Sequence, residues 1–277
     1  FYPIENDLFE KSDWFTTQIG SNIDFHSTEK FPDFKFAEVA FLSINEYEGS
    51  DNSLSNKPCK IRKELYELHI DNSPRICDLG NLKLADNRKE SFKIIENVCK
   101  ELIFNGIIPV IIKGGQDISY AVYKSYSGLK KNLSISVVDN CFDIGHEKDM
   151  LSNKSFFGKI LSTKPNTLFN YSNIGYQSFY VSNIALEMLD SLSFDAIRLG
   201  DVKASISSVE PILRNTDFLS FDLSSIQNIF APANRYGSPN GFNGEEACQI
   251  MRYAGISDKL SCLAISEYDQ DLSLIHI

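Results

Sequence analysis

The stretch SVVDNCFDIG, residues 136–145, decides how the rest of the chain is read. It carries the apolar run LSISVV, 133–138, into Asp139, and Asp143 follows four residues later with Cys141 between them. A strand that is apolar on both faces belongs inside a parallel sheet whose two sides are covered by helices. A carboxylate at the end of such a strand is half buried, and it needs a cation or several hydrogen-bond donors to stay charged there.

The same alternation extends along the chain. Runs at 36–44, 75–79, 107–112, 133–138, 167–171, 194–199, 218–221 and 262–266 read as strands, several of them apolar on both faces. Amphipathic helices lie between them. The clearest covers 88–105, where Phe92, Ile95, Val98, Cys99, Leu102 and Ile103 form one stripe and Gly106 supplies a left-handed stop. Another starts at Asn243, with Glu246 three residues on to close a capping box, and ends at Gly255. Strands separated by helices pair in parallel through right-handed crossovers. The expected fold is therefore α/β, three layers α-β-α around a mostly parallel sheet of about eight strands, formed by 1–277 as a single domain. Residues 50–56 and 234–243 are the polar, turn-rich loops.

Ligands of an open parallel sheet bind beyond the carboxyl ends of its strands. Asp117 follows the run at 107–112, Asp139 and Asp143 follow 133–138, Asp222 follows 218–221 with Ser224 two residues later, and Glu267 follows 262–266. Asp117 can cap the next helix and Asp143 can fix a turn, so each has a structural reading beside a ligand reading. Asp139 and Asp222, at the ends of nearly wholly apolar strands, fit the structural reading less well, and the convergence of acids favours a cation.

Composition excludes other classes. A net charge of −10 with scattered Lys and Arg leaves no basic stripe for nucleic acid. No apolar run reaches the roughly 18 residues that span a bilayer, and no signal segment opens the chain, so a cytoplasmic protein without a membrane partner is expected. Six cysteines with no CxxC pair fit free thiols in a reducing compartment. The first residue is Phe1, and LSLIHI, 272–277, matches the translation of a common transposon-type sequencing adaptor. Both ends are therefore read as truncated, and His276 carries no functional weight.

Taken in order, Gly114-Gly115-Gln116-Asp117, Asp139-Asn140-Cys141-Phe142-Asp143, Ser220-Phe221-Asp222-Leu223-Ser224 with Ala231-Pro232, the stretch 241–246 and Glu267 resemble the ureohydrolase family of arginase, agmatinase and formiminoglutamase. The similarity runs from about Phe36 to Asp271, and LFNYSNIGYQS, 168–178, resembles the formiminoglutamase branch. The resemblance implies the three-layer arginase-like fold, two manganese ions, a homo-oligomer and hydrolysis of C–N bonds in linear amidines. In the family the motifs read Gly-Gly-x-His, Asp-x-His-x-Asp and Ser-Phe-Asp-x-Asp. Carried over residue by residue, the first metal maps onto Asp117, Asp139, Asp143 and Asp222, and the second shares Asp139 and Asp222. At its remaining positions stand Cys141 and Ser224.

These departures fall on the ligands. A serine hydroxyl binds manganese poorly and a thiol prefers softer metals. A loop histidine that shuttles protons in the family is replaced by phenylalanine in Ser155-Phe156-Phe157-Gly158. His146 is the histidine nearest the motif, read as a solvated loop residue in preference to a replacement shuttle. Cys141 is a poor nucleophile, because surrounding carboxylates raise its pKa. Gln116, Asn140 and Ser224 are read as hydrogen-bond partners of the acids, and Glu267 as a contact for a cationic substrate group. Two classes follow: a non-hydrolytic binding, regulatory or scaffold protein that holds one divalent cation (Mn, Mg or Ca) and no binuclear manganese; and a divergent metal-dependent hydrolase of formiminoglutamate, or of a guanidino compound such as arginine or agmatine. A small-molecule ligand fits both.

Overall fold

The computed structural model of the chain describes residues 1–4, 14–48, 61–71, 74–112, 114–129, 132–145 and 150–272. The expected loop at 50–56, Cys59, His146 and the tail 273–277 lie outside them. The strands are β1 (Asp24–Phe25), β2 (Val39–Ser43), β3 (Ile76–Asn81), β4 (Ile108–Ile112), β5 (Leu133–Val138), β6 (Leu168–Tyr176), β7 (Asp195–Arg198), β8 (Phe218–Asp222) and β9 (Cys262–Ser266). They form one sheet in the order β1-β3-β2-β4-β9-β8-β5-β6-β7, and every pairing is parallel. The eight expected strands are present. The ninth, β1, is a two-residue edge strand too short to show a hydrophobic period. β6 runs to Tyr176, past the expected end, through the buried polar pair Ser172 and Asn173.

The helices are α1 (Ile19–Asn22), α2 (Ile61–Glu67), α3 (Arg88–Phe104), α4 (Ile118–Ser127), α5 (Phe156–Ser162), α6 (Asn183–Ser191), α7 (Leu199–Ala204), α8 (Glu210–Arg214) and α9 (Gly244–Gly255). Strand alternation sends neighbouring residues into different cores. Ile135, Val137, Phe218 and Ala264 pack with α3, α4, α5 and α6 through Ile95, Ile118, Phe157 and Leu189. Val138, Leu219 and Phe221 face the other way, with Val202, Leu213 and Ile250 of α7, α8 and α9. A third cluster joins Ile19 and Tyr66 of α1 and α2 to Phe41 and Ile112. α3 starts at the Asn87 cap, and α9 carries the expected capping box between Asn243 and Glu246. Among the described residues no helix is long and apolar enough to cross a membrane.

Register brings the strand ends together. Val138 pairs with Phe221, Asp222 with Ser266, and Ile112 with Ile265, so β4, β9, β8 and β5 finish side by side. Asp139 and Asp222 thus stand level on neighbouring strands, and the alternation turns both toward the side that α4 covers. Gly114 is needed in the loop after β4: its φ is +100, and a Cβ there would lie 3.1 Å from the Ile44 carbonyl oxygen.

Under the β2–β3 end of the sheet lies a buried ion pair. Arg62, 1% exposed, bonds Asp78 through Nε at 2.7 Å and Nη2 at 3.0 Å, and also reaches Ser43, Asn81 and the Gly80 carbonyl. The Tyr66 hydroxyl donates to Asp78 at 2.7 Å. Removing one partner strands a buried charge, which costs about 3–5 kcal/mol, whereas removing both with apolar replacements is far milder. Arg62→Met is expected to lower the unfolding free energy by roughly that amount, and Arg62→Met/Asp78→Leu to recover most of it in urea denaturation. A double variant no more stable than the single one sinks this account.

Candidate metal centre

Two tight turns shape the centre. After β5 the chain turns so that the Asp139 carboxylate accepts the next two backbone amides, Oδ1 lying 2.5 Å from Asn140 N and 3.3 Å from Cys141 N. Asp143 takes a left-handed φ of 49, a conformation that Asp tolerates better than most residues. After β8 the Asp222 carboxylate accepts the Ser224 amide at 2.6 Å. Glu267, also left-handed with φ 65, follows β9 and accepts the Gln116 amide on Oε1 at 2.9 Å. The expected hydrogen-bond partners Asn140, Gln116 and Ser224 therefore serve the acids largely through backbone N–H groups. The Asn140 side chain instead braces the β8 turn, donating to the Ser224 carbonyl at 3.1 Å.

Among the described residues, Asp139, Cys141 and Asp143 bring one ligand-type atom each to within 4.8 Å of the others. The Cys141 thiol donates to Asp143 Oδ1 at 3.1 Å and lies 3.8 Å from Asp139 Oδ1. Asp222 and Glu267 act on this group as neighbouring charges. Among the described residues, no N–H or O–H group is set in hydrogen-bond geometry on the buried Asp139 Oδ2, and the buried Gln116 side chain lies beside this carboxyl.

Burial pushes the Asp139 carboxyl well above the usual range; the Asp143 charge and a hydrogen bond shared with Asp143 add to the rise, which the neighbouring Gln116 and the Cys141 amide oppose. Asp222 is raised by burial, then by Asp139 and Glu267, against the hydrogen bonds from Ser224. Asp143 rises from 3.8 to about 6, chiefly by burial, although hydrogen bonds from Asp139 and Cys141 pull it down. The Cys141 thiol is driven up by burial and by Asp139 and Asp143, so it stays protonated.

Asp117 is placed differently. It is fully buried and precedes α4, yet its side chain does not cap that helix. Its Oδ2 instead meets Arg88 Nη2. The guanidinium also holds Glu46 Oε1 through Nε at 3.3 Å and the Leu151 carbonyl through Nη1. Sequence reasoning missed Arg88 and Glu46. The one available signal was an arginine just inside a helix start, where the macrodipole disfavours a cation. The phenylalanine at the loop position is Phe157, fully buried and stacked on Tyr171 at 3.6 Å between ring centroids.

The profile of the Arginase family matches residues 50–271. The chain belongs to the arginase family. Among solved structures of similar fold, formiminoglutamase from Trypanosoma cruzi, determined with manganese, has a TM-score of 0.79 at 16% identity over 92% of this chain and 91% of its own. Formimidoylglutamase from Bacillus subtilis gives 0.78 at 18% identity, over 96% and 88%. Agmatine ureohydrolase of Thermoplasma volcanium gives 0.73 at 19% identity, over 95% and 90%. None of the curated proteins compared with the chain matches it. In this arginase-family chain, Asp139 and Asp143 offer oxygen ligands and the unpartnered buried atom that suit one hard divalent cation, with Asp222 as a neighbouring charge. Cys141, a protonated thiol that donates to Asp143, and Ser224, a neutral hydroxyl, are poor ligands for a second hard ion.

The raised carboxyls make stability depend on pH. Between the unfolded value of 3.8 and the folded value of about 6, the folded state holds a proton on Asp143 that the unfolded chain releases. Stability from this group is therefore present at the acid side and falls as pH rises through the window, by about 1.4 kcal/mol for each pH unit between the two values. Asp139 and Asp222, also displaced upward, extend the fall to higher pH. Chelator-treated protein is expected to lose melting temperature relative to Asp143→Asn as pH rises from 3.8 to about 6, and millimolar Mn2+ or Mg2+ to restore more of it at the upper end. Equal slopes for both proteins, in thermal melts across that range, contradict this assignment.

Proposed function

We propose that this arginase-family chain is a non-hydrolytic binding, regulatory or scaffold protein that holds one divalent cation through Asp139, Asp143 and Asp222. The observation that carries this reading is the Cys141 thiol, which donates to Asp143 and is pushed up by burial and by the neighbouring acids, so that it stays protonated. A protonated thiol and the neutral Ser224 hydroxyl are poor ligands for a hard cation. A lone ion with oxygen ligands neutralises and braces the turns after β5 and β8, but it lacks the partner with which a two-metal site activates a bridging water. Proton transfer loses its group as well, because Phe157 is part of the core beside Tyr171. The described free thiols, Cys77, Cys99, Cys141, Cys248 and Cys262, suit a reducing compartment, and we assign the chain to the cytoplasm on that basis. Self-association and a small-molecule ligand belong to the same proposal, by analogy with the family.

One observation favours a second reading, hydrolysis of a C–N bond in formiminoglutamate or a guanidino compound with a single metal. Glu267 is buried, held in a left-handed backbone and aimed at the same group of acids, where a cationic substrate head could meet it.

The two readings separate in one assay series. Purified protein is expected to carry at most one metal equivalent. With added Mn2+, formiminoglutamate, arginine and agmatine should show no formamide or urea release above background, since each lost acid–base or metal function commonly costs about 100-fold or more. Manganese-dependent turnover of any of the three, abolished by Asp222→Asn, establishes the hydrolase reading instead.

A further inference from the structure

We propose that Arg88 is a tethered cation that has taken the place of a metal ion at Asp117. An ion at a strand-end cleft gathers oxygen atoms from several loops, and Arg88 does the same: it joins Glu46 beyond β2, Asp117 beyond β4 and the Leu151 carbonyl beyond β5. The guanidinium is permanently charged, and its rigid fork of donors suits carboxylates from different directions. Neither charge is called for by its own helix, although the Arg88 guanidinium also lies over the Phe92 ring one turn on, 4.9 Å from its centroid. Asp117 leaves α4 uncapped, and Arg88 sits in the first turn of α3, where the peptide dipoles oppose a positive charge. The Asn87 side chain already caps that helix by accepting the Glu90 amide at 2.9 Å.

The node is also short of positive charge. Among the described residues one guanidinium faces two carboxylates, and two of their oxygens, Asp117 Oδ1 and Glu46 Oε2, are buried without a hydrogen-bond partner. Such an arrangement suits an ion that accepts ligands on all sides better than a planar group that accepts them at its rim. Removing Arg88 leaves the oxygens of Asp117, Glu46 and Leu151 turned toward one space, with the Phe92 ring on one side of it, next to Gln116, whose backbone amide already ties it to Glu267. That pocket has the chemistry of a hard divalent cation site.

The inference rests on the one-cation reading, and the test separates the two. Chelator-treated protein is titrated with Mn2+, and bound metal is counted after dialysis. Wild type is expected to bind one ion per chain, Arg88→Met two, and Arg88→Met/Asp117→Asn one again. Asp117→Asn alone should keep the wild-type ion, because Arg88 and not the metal is the partner of Asp117. A folded Arg88→Met, shown by a cooperative melt, that binds no more Mn2+ than wild type overturns the proposal. If Arg88→Met does not fold, Asp117→Asn decides: retention of the wild-type ion supports the exchange of cation, and its loss overturns it. Arg88→Lys, which keeps the charge, should bind like wild type, and a gained ion there also counts against the proposal. The one-cation reading itself fails only if wild type binds no ion or two, whatever Arg88→Met does.

Discussion

Negative charge withheld from water is the constraint around which this cleft is organised. Asp139 and Asp222 stand level on neighbouring strands, and Asp143 and Glu267 close on them from the adjoining turns. Two unit charges ~4 Å apart repel by about 4 kcal/mol at an effective dielectric of 20, so several ionised carboxylates do not share such a site unaided. The chain relieves the repulsion by small local means. Backbone amides point at Asp139, Asp222 and Glu267, the Cys141 thiol points at Asp143, and Asp139 shares a hydrogen bond with Asp143. What remains unmet, Asp139 Oδ2 above all, is what a cation would satisfy.

The sheet makes this constraint severe. With helices on both faces and all strands parallel, the four central strands deliver their last residues to one dry edge, and the following turns have little room. A Cβ on Gly158 would collide with the Ile144 carbonyl oxygen, so the start of α5 presses directly on the turn that carries Asp143. The left-handed backbone at Asp143 and Glu267 is the local consequence: two acids are aimed inward by turns that the neighbouring elements hold in place.

The architecture was legible because burial on both faces leaves continuous apolar runs, and LSISVV and FLSF end in acids just where the sheet ends. α3 and α9 were legible because cap, stripe and stop agree within one segment. The short elements β1, α7 and α8 hold too few residues to display a period. At the centre, residue types and their gathering could be read, but hydrogen-bond direction could not. Whether Asp117 served a helix, an ion or a side chain 29 residues earlier in the chain depended on where Arg88 lands once the sheet has formed. Tyr171, fully buried where it stacks on Phe157, was invisible for the same reason.

Family membership fixes the fold, while the chemistry is decided at the site. A chain that keeps the fold of the compared structures at 16–19% identity has kept the backbone path. That path follows from packing a parallel sheet, and it persists whether or not anything is hydrolysed. Catalysis by two metals asks for something the packing does not: lone pairs, held by neutral or anionic groups, on both sides of a water. Here the Cys141 thiol and the Ser224 backbone amide donate to the carboxylates, and Phe157 is part of the core. On the proposed reading, hydrogen bonds that stabilise the acids in the absence of metal compete with a second ion for the same oxygens. A site cannot be made more stable empty in this way without being made poorer at binding the pair.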